Sequence, residues 1–258
     1  MARIISFCNQ KGGVGKTTTA MNTAVYLVAY GKTVLLVDAD PQANATSGVG
    51  FSPRELKQSV YHALVRDADP RLIVKRTKVL GLDLLPSSSD LAGANVELVK
   101  MKEREFRLKE ILKKVSRDYD YIIIDSPPSL GLLTINALTA SHKVIIPVQC
   151  EYYSLEGLAD LLKTIALINK NLKARVDVMG TLLTMYDRKS RLNRAVEKEI
   201  RRKFPGYVFD AMIPRNISLA ESPSFGKTIL QYDPYSHGAK AYRRLAGEIL
   251  KLEEIKKV

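Results

Sequence analysis

The chain has 258 residues, of which 46% are hydrophobic and 26% charged. That suits one globular domain with a sizeable core and excludes a disordered or fibrous chain. A net charge of +13 points to an anionic partner, nucleic acid before acidic membrane, while two distant cysteines and three histidines exclude a disulfide framework or a structural zinc.

The chain enters an apolar run at 4–8 with no signal peptide ahead of it. Further strand-like runs cover 33–37, 82–85, 121–125, 143–147, 176–184 and a short 207–209. Helical patterns fill 17–30, about 89–101, 105–117, 130–140, 154–170, 191–204 and 238–256. Several strands are continuous apolar runs, as buried parallel strands require. The alternation predicts an α/β fold: a single three-layer domain over 1–258, its mostly parallel twisted sheet covered by helices on both faces. There are no repeats, linkers or low-complexity tracts. No apolar stretch approaches the ~18–20 residues of a membrane span, so the expected location is cytoplasmic. Cys8 and Cys150 read as small core residues.

Between the first strand and the first helix lies KGGVGKTT, residues 11–18. A glycine-rich turn there forms a phosphate cradle. Backbone N–H groups of Gly12, Gly13, Val14, Gly15 and Thr18 point inward, the helix dipole adds partial positive charge, and Lys16 adds a full one. Thr17 places a hydroxyl on a Mg²⁺ bridging the phosphates. Where the usual loop begins with glycine, this chain has Gln10, followed by a second lysine, Lys11.

Ligands of such a sheet bind where the strands end. LLVDADP, 35–41, places Asp38 and Asp40 at one strand end, where both could face the crevice if the strand period persisted. One could hold the metal or its waters, the other orient an attacking water. YIIIDSPP, 121–128, ends its strand in Asp125, the second Mg²⁺ element of a phosphate-loop NTPase, reaching the metal directly or through water. For each aspartate the alternative is a turn or cap residue after a strand.

These segments resemble the deviant phosphate-loop ATPases that include ParA/Soj, MinD and the nitrogenase iron protein. NATSG at 44–48, LAGA at 91–94, PPSLGLLTINA at 127–137, PVQCEYY at 147–153, IPRN at 213–216 and ESPSFG at 221–226 narrow the resemblance to the Soj-type ParA partition ATPases. It runs from residue 3 to about 250. It implies an ATP- and Mg²⁺-dependent ATPase whose nucleotides are sandwiched between two subunits. Lys11 matches the signature lysine that reaches the partner's nucleotide. Gly12 matches a position where any side chain would obstruct subunit approach. Lys16 matches the phosphate lysine in cis, Asp40 the residue associated with hydrolysis, and Pro214 and Asn216 the adenine-side contacts. No glutamate base accompanies Asp125, which implies slow turnover. The implied partners are nonspecific double-stranded DNA, a ParB-like centromere-binding protein and, with ATP, a second copy of the chain. The implied location is the nucleoid.

The segment 188–203 supplies a candidate DNA face. Its eight basic residues (Arg188, Lys189, Arg191, Arg194, Lys198, Arg201, Arg202, Lys203) stand against Glu197 and Glu199. On a helix, Leu192, Val196, Ile200 and Phe204 form an apolar stripe, with Arg191, Arg194, Lys198 and Arg201/Arg202 opposite. A basic face backed by a core-facing stripe suits phosphate contact without base readout; the alternative is a merely solvated helix face. Arg215 and Lys227 are further candidates. Ser218 replaces an arginine common in relatives, and Lys189 stands where another arginine often lies.

The main competitor is a MinD-like, membrane-recruited positioning ATPase, which needs a C-terminal amphipathic tail. Here Leu245, Ile249, Leu252 and Lys256 make a narrow stripe beside Glu248, Glu253 and Glu254, read as a helix packed on the sheet, with no membrane partner. A third reading is a DNA-compacting protein that uses ATP only structurally. Neither cysteine is placed to bridge a cluster between subunits, unlike the iron protein. Because the chain starts at its first strand, no N-terminal DNA-binding extension is expected.

Overall fold

In the computed structural model, residues 1–151 and 154–255 are described. Tyr152 and Tyr153 of the 147–153 motif, and Lys256 of the C-terminal stripe, lie outside the described residues. The strands are β1 (Arg3–Phe7), β2 (Val34–Asp38), β3 (Lys75–Arg76), β4 (Leu82–Leu85), β5 (Tyr121–Asp125), β6 (Lys143–Gln149) and β7 (Asp177–Thr184). The helices are α1 (Lys16–Ala29), α2 (Asn44–Gly48), α3 (Val60–Val65), α4 (Pro70–Ile73), α5 (Leu91–Glu97), α6 (Arg107–Lys113), α7 (Leu132–Ala140), α8 (Ser154–Asn171), α9 (Arg191–Lys203), α10 (Ile217–Glu221), α11 (Ile229–Tyr232) and α12 (His237–Ile255).

The sheet order is β3-β4-β2-β5-β1-β6-β7, parallel except for β3. Strand residues alternate between two cores. Ile5, Phe7 and Ile123 face α1 and α12, whereas Ile4, Ile122 and Ile124 face α5, α6 and α7. Both faces are covered, so β2 and β5 are buried along their whole length, which is why they read as unbroken apolar runs. A third core lies under α8 and α9. Leu245 and Ile249 of α12 are fully buried against the sheet, and no helix among the described residues is long and apolar enough to cross a membrane.

Two expectations need correction. The predicted strand at 207–209 is a single bridge between Thr181 and Val208. Leu192 is 50% exposed, so the buried stripe of α9 is Val196 and Ile200, continued by Phe204 at the C-cap. Burial pushes the thiols of Cys8 and Cys150 up to about 11 and about 12, as inert core residues.

Candidate nucleotide site and basic face

β1 ends at Phe7 and α1 starts at Lys16, so residues 8–15 form the connecting loop at the carboxyl edge of the sheet. Gly13 and Gly15 take left-handed backbone conformations, φ 73° and 82°, which glycine adopts without strain. Gly12 has no such conformation, and a Cβ there would meet nothing within 4 Å. The amides of Gly12, Gly13, Val14 and Gly15 have no acceptor among the described residues. With the first amides of α1, which a helix start leaves unpaired, they make a nest for an anion.

Lys16 is buried and donates to the carbonyl of Lys11 at 3.2 Å. Burial lowers its pKa, and Asp125 is the foremost of the charges opposing that. Lys11 lies on the rim, its side chain 49% exposed and ion-paired with Glu151.

Asp38 and Asp125 are register partners at the ends of β2 and β5. Their environments differ. One oxygen of Asp38 accepts the N–H of Asp40 at 3.2 Å; the other accepts the N–H and hydroxyl of Thr46, both at 2.7 Å. Asp38 thus ties β2 to α2. Burial raises its pKa to about 6 against those bonds. Both oxygens of Asp125 are buried and lack a hydrogen-bond partner among the described residues. Burial first, then the charge of Asp38, raise its pKa well above the carboxylate range; the nearby Thr17 hydroxyl and, more weakly, Lys16 oppose the shift. An orphaned carboxylate beside a threonine hydroxyl at a phosphate loop is a donor set suited to a hard divalent cation. Asp40 lies past the strand end. One of its oxygens accepts the N–H of Gln42 at 2.9 Å, and its other oxygen accepts no hydrogen bond among the described residues. Among the described residues no cluster of three or more His, Cys, Asp or Glu could hold a metal, so any cation site here must draw on hydroxyls and ligand oxygens.

A cavity of about 470 Å³ opens beside Gly15 and Thr18, walled by Met185, Ile213, Pro214, Asn216 and Tyr242. Its size and apolar walls suit a small planar ligand. Asn216 caps α10 by accepting the N–H of Leu219 at 3.1 Å, so its NH₂ group is what remains for a ligand. Met185, absent from the expected set, holds a left-handed backbone at φ 50°.

The basic candidates divide. Arg201 pairs with Glu197 at 3.0 Å and donates to the carbonyls of Val208 and Phe209. Arg202 and Lys203 both pair with Glu199. Arg194 donates to the carbonyls of Arg188 and Lys189, stitching the turn before α9. Arg191 and Lys198 are exposed on one side of α9 and have no ion pair among the described residues. Arg188, Lys189, Arg215 and Lys227 are also exposed. All eight basic residues of 188–203 are exposed, and four of them also have partners within the segment or just beyond it.

The chain matches a family model described as an AAA domain over residues 2–178. It is 54% identical to the sporulation initiation inhibitor protein Soj of Bacillus subtilis, covering 96% of this chain and 98% of that protein. It is 47% identical to the chromosome partitioning protein ParA of Myxococcus xanthus, covering 97% and 89%. Among solved structures it is similar to a Mycobacterium smegmatis protein described as cobyrinic acid a,c-diamide synthase with bound ADP and magnesium. That likeness is 37% identity and a TM-score of 0.87, over 98% of this chain and 96% of the other.

Proposed function

The chain belongs to the Soj/ParA family of chromosome-partitioning P-loop ATPases, and from that premise we propose that it is an ATP-timed DNA-binding switch. ATP binds in the cradle of residues 11–18, with its base in the cavity beside Pro214 and Asn216. Two ATP-loaded copies close face to face, the dimer binds DNA without sequence preference, and a ParB-like partner speeds hydrolysis and releases it. The observation that carries this reading is a second cation, Lys11, on the rim of a pocket that already has Lys16.

Two ammoniums at one nucleotide repel unless further anions arrive. Before nucleotide binds, Glu151 supplies one. An exposed ion pair of that kind contributes only about 0–1 kcal/mol, so it yields readily to a triphosphate on a second copy. Gly12 fits the same picture. No described residue of its own chain crowds a side chain there, whereas a closely approaching partner would.

Thr17 and Asp125 would hold Mg²⁺, with Asp38 fixing the strand end beside them. Mg²⁺ bound there supplies neutralisation of phosphate charge. Asp40 positions the attacking water through the oxygen that does not accept from Gln42. With no glutamate base beside Asp125, turnover is slow, as a timer requires. Asp40→Ala is expected to retain ATP binding and lower turnover by a factor on the order of 10²–10⁴, the range for loss of a proton-handling group, so that the ATP dimer accumulates. Unchanged single-turnover hydrolysis would move the role elsewhere.

The decisive experiment is binding to random duplex DNA against salt, with ATP, with ADP and without nucleotide. Binding is expected with ATP alone, and its logarithm should fall linearly with the logarithm of salt concentration. Arg191→Glu with Lys198→Glu should weaken it at least tenfold and flatten the slope. Equal binding in all three nucleotide states would sink the switch. Preference for anionic vesicles over DNA would favour the membrane-recruited alternative.

A further inference from the structure

The geometry points to Thr184, at the end of β7, as the positioning residue that aims the phosphate cradle. This rests on the reading that residues 11–18 bind the phosphates of ATP. Thr184 lies 170 positions from the loop in sequence, yet its hydroxyl donates to the carbonyl of Val14 at 2.9 Å, and the contact is buried. Thr184 is 2% and Val14 1% exposed.

The consequence follows from peptide geometry. In a planar trans peptide the C=O of one residue and the N–H of the next point in opposite directions. Holding the Val14 carbonyl against β7 therefore fixes the Gly15 N–H on the other side of the loop, among the amides without an acceptor. The next peptide is held likewise. The Gly15 carbonyl accepts the Thr19 hydroxyl at 2.6 Å and the Thr19 N–H at 2.9 Å. The Thr19 hydroxyl stands 3.2 Å from the Tyr242 hydroxyl, and because it donates to Gly15, Tyr242 donates to it. That fixes the Lys16 N–H. The second anchor lies within α1 and its packing on α12, as a helix start would supply anyway. The first comes from outside the loop motif altogether.

Gly15 makes such an anchor necessary. A residue at φ 82° is glycine-permissive, and a glycine peptide can turn over at little steric cost. Without a partner for Val14, the 14–15 peptide has no reason to present its N–H rather than its carbonyl to a phosphate. A carbonyl turned inward would repel one. Thr184 also precedes Met185, whose left-handed backbone forms part of the cavity wall. One strand end thus sets both the cradle's polarity and the wall of the cavity.

The test compares triphosphate with base. ATP and adenosine affinities are measured for wild type and for Thr184→Val, Thr184→Ala and Thr184→Ser, with adenosine read by ligand-observed NMR. Thr184 also lines the cavity assigned to the base; Thr184→Val keeps the shape of that wall and removes only the donor, so it should bind ATP about three- to tenfold more weakly, the loss of one hydrogen bond, with adenosine unchanged. Thr184→Ala leaves room for a mobile water that satisfies the Val14 carbonyl, and so spares folding, without fixing the direction of the peptide, and should show the same selective loss. Thr184→Ser should restore wild-type affinity for both. Equal loss of ATP and adenosine would reduce Thr184 to a packing residue and overturn the inference. So would wild-type ATP affinity in the valine and alanine variants. Wild type failing to bind ATP would instead strike the underlying reading.

Discussion

Lys11→Ala is expected to abolish the ATP-dependent dimer while each copy still binds ATP. The two roles separate because the loop's two lysines occupy different places. Lys16 is buried under the loop and held toward it by the Lys11 carbonyl, and that carbonyl survives the substitution. The Lys11 side chain is on the rim, where its only ion-pair partner among the described residues is Glu151. In a face-to-face dimer with two-fold symmetry every cross-subunit contact occurs twice. A hydrogen bond to a charged group contributes about 1.5–3 kcal/mol, so two lost contacts amount to roughly 3–6 kcal/mol. That is on the order of 10²–10⁴ in the dimer constant. Sedimentation or light scattering with a slowly hydrolysed ATP analogue measures it. Dimers of wild-type strength in the variant would show that Lys11 does not cross, and the rim lysine would then need another explanation.

What the sequence revealed followed burial and local spacing. β4 and β5 occupy the ranges read from the sequence, because a strand covered on both faces leaves a continuous apolar run with sharp ends. β3 left no such trace. It is two residues, Lys75 and Arg76, paired antiparallel at the sheet edge, and its content is charge. α2, α3, α4, α10 and α11 have four to six residues each, too short for a 3.6-residue period to show. α2 lacks even a local start signal, since its N-cap is Ala43 in a left-handed conformation, and Asp38 from the preceding strand supplies the acceptor for Thr46. The phosphate loop was legible because glycines and lysines at fixed spacing encode it locally. The bonds of Arg201 to the carbonyls of Val208 and Phe209 and the reach of Thr184 to Val14 were not. Both depend on backbone carbonyls brought close by the fold, and a carbonyl carries no sequence signature. All eight basic residues of 188–203 are exposed; four of them also take partners within the segment or just beyond it, which a charge count does not show.

Asp125→Asn is expected to have opposite effects on stability without and with ligand. In the nucleotide-free chain the Asp125 carboxylate is buried without a hydrogen-bond partner among the described residues, beside Asp38 and near Asp40, while Thr17 and Lys16 favour its charge. Leaving a buried polar group unsatisfied costs about 1–3 kcal/mol, more when it is charged. An asparagine has nearly the same shape and no charge to desolvate. The variant should therefore melt higher, by roughly 2–10 °C for a chain of this size. With Mg²⁺ and ATP the order should reverse. Ligand at a hundred times its Kd stabilises by about 2.7 kcal/mol, and a variant that has lost an anionic ligand for the cation forfeits most of the Mg²⁺-dependent part. Thermal melts with no ligand, with ATP and chelator, and with ATP and Mg²⁺ give the full comparison. A substitution that merely disturbed packing would lower all three curves together; one that removed a metal ligand raises the first and lowers the last. If the variant keeps the full Mg²⁺ increment, the cation is held elsewhere, and the orphaned oxygens of Asp125 are then a structural cost without a functional return.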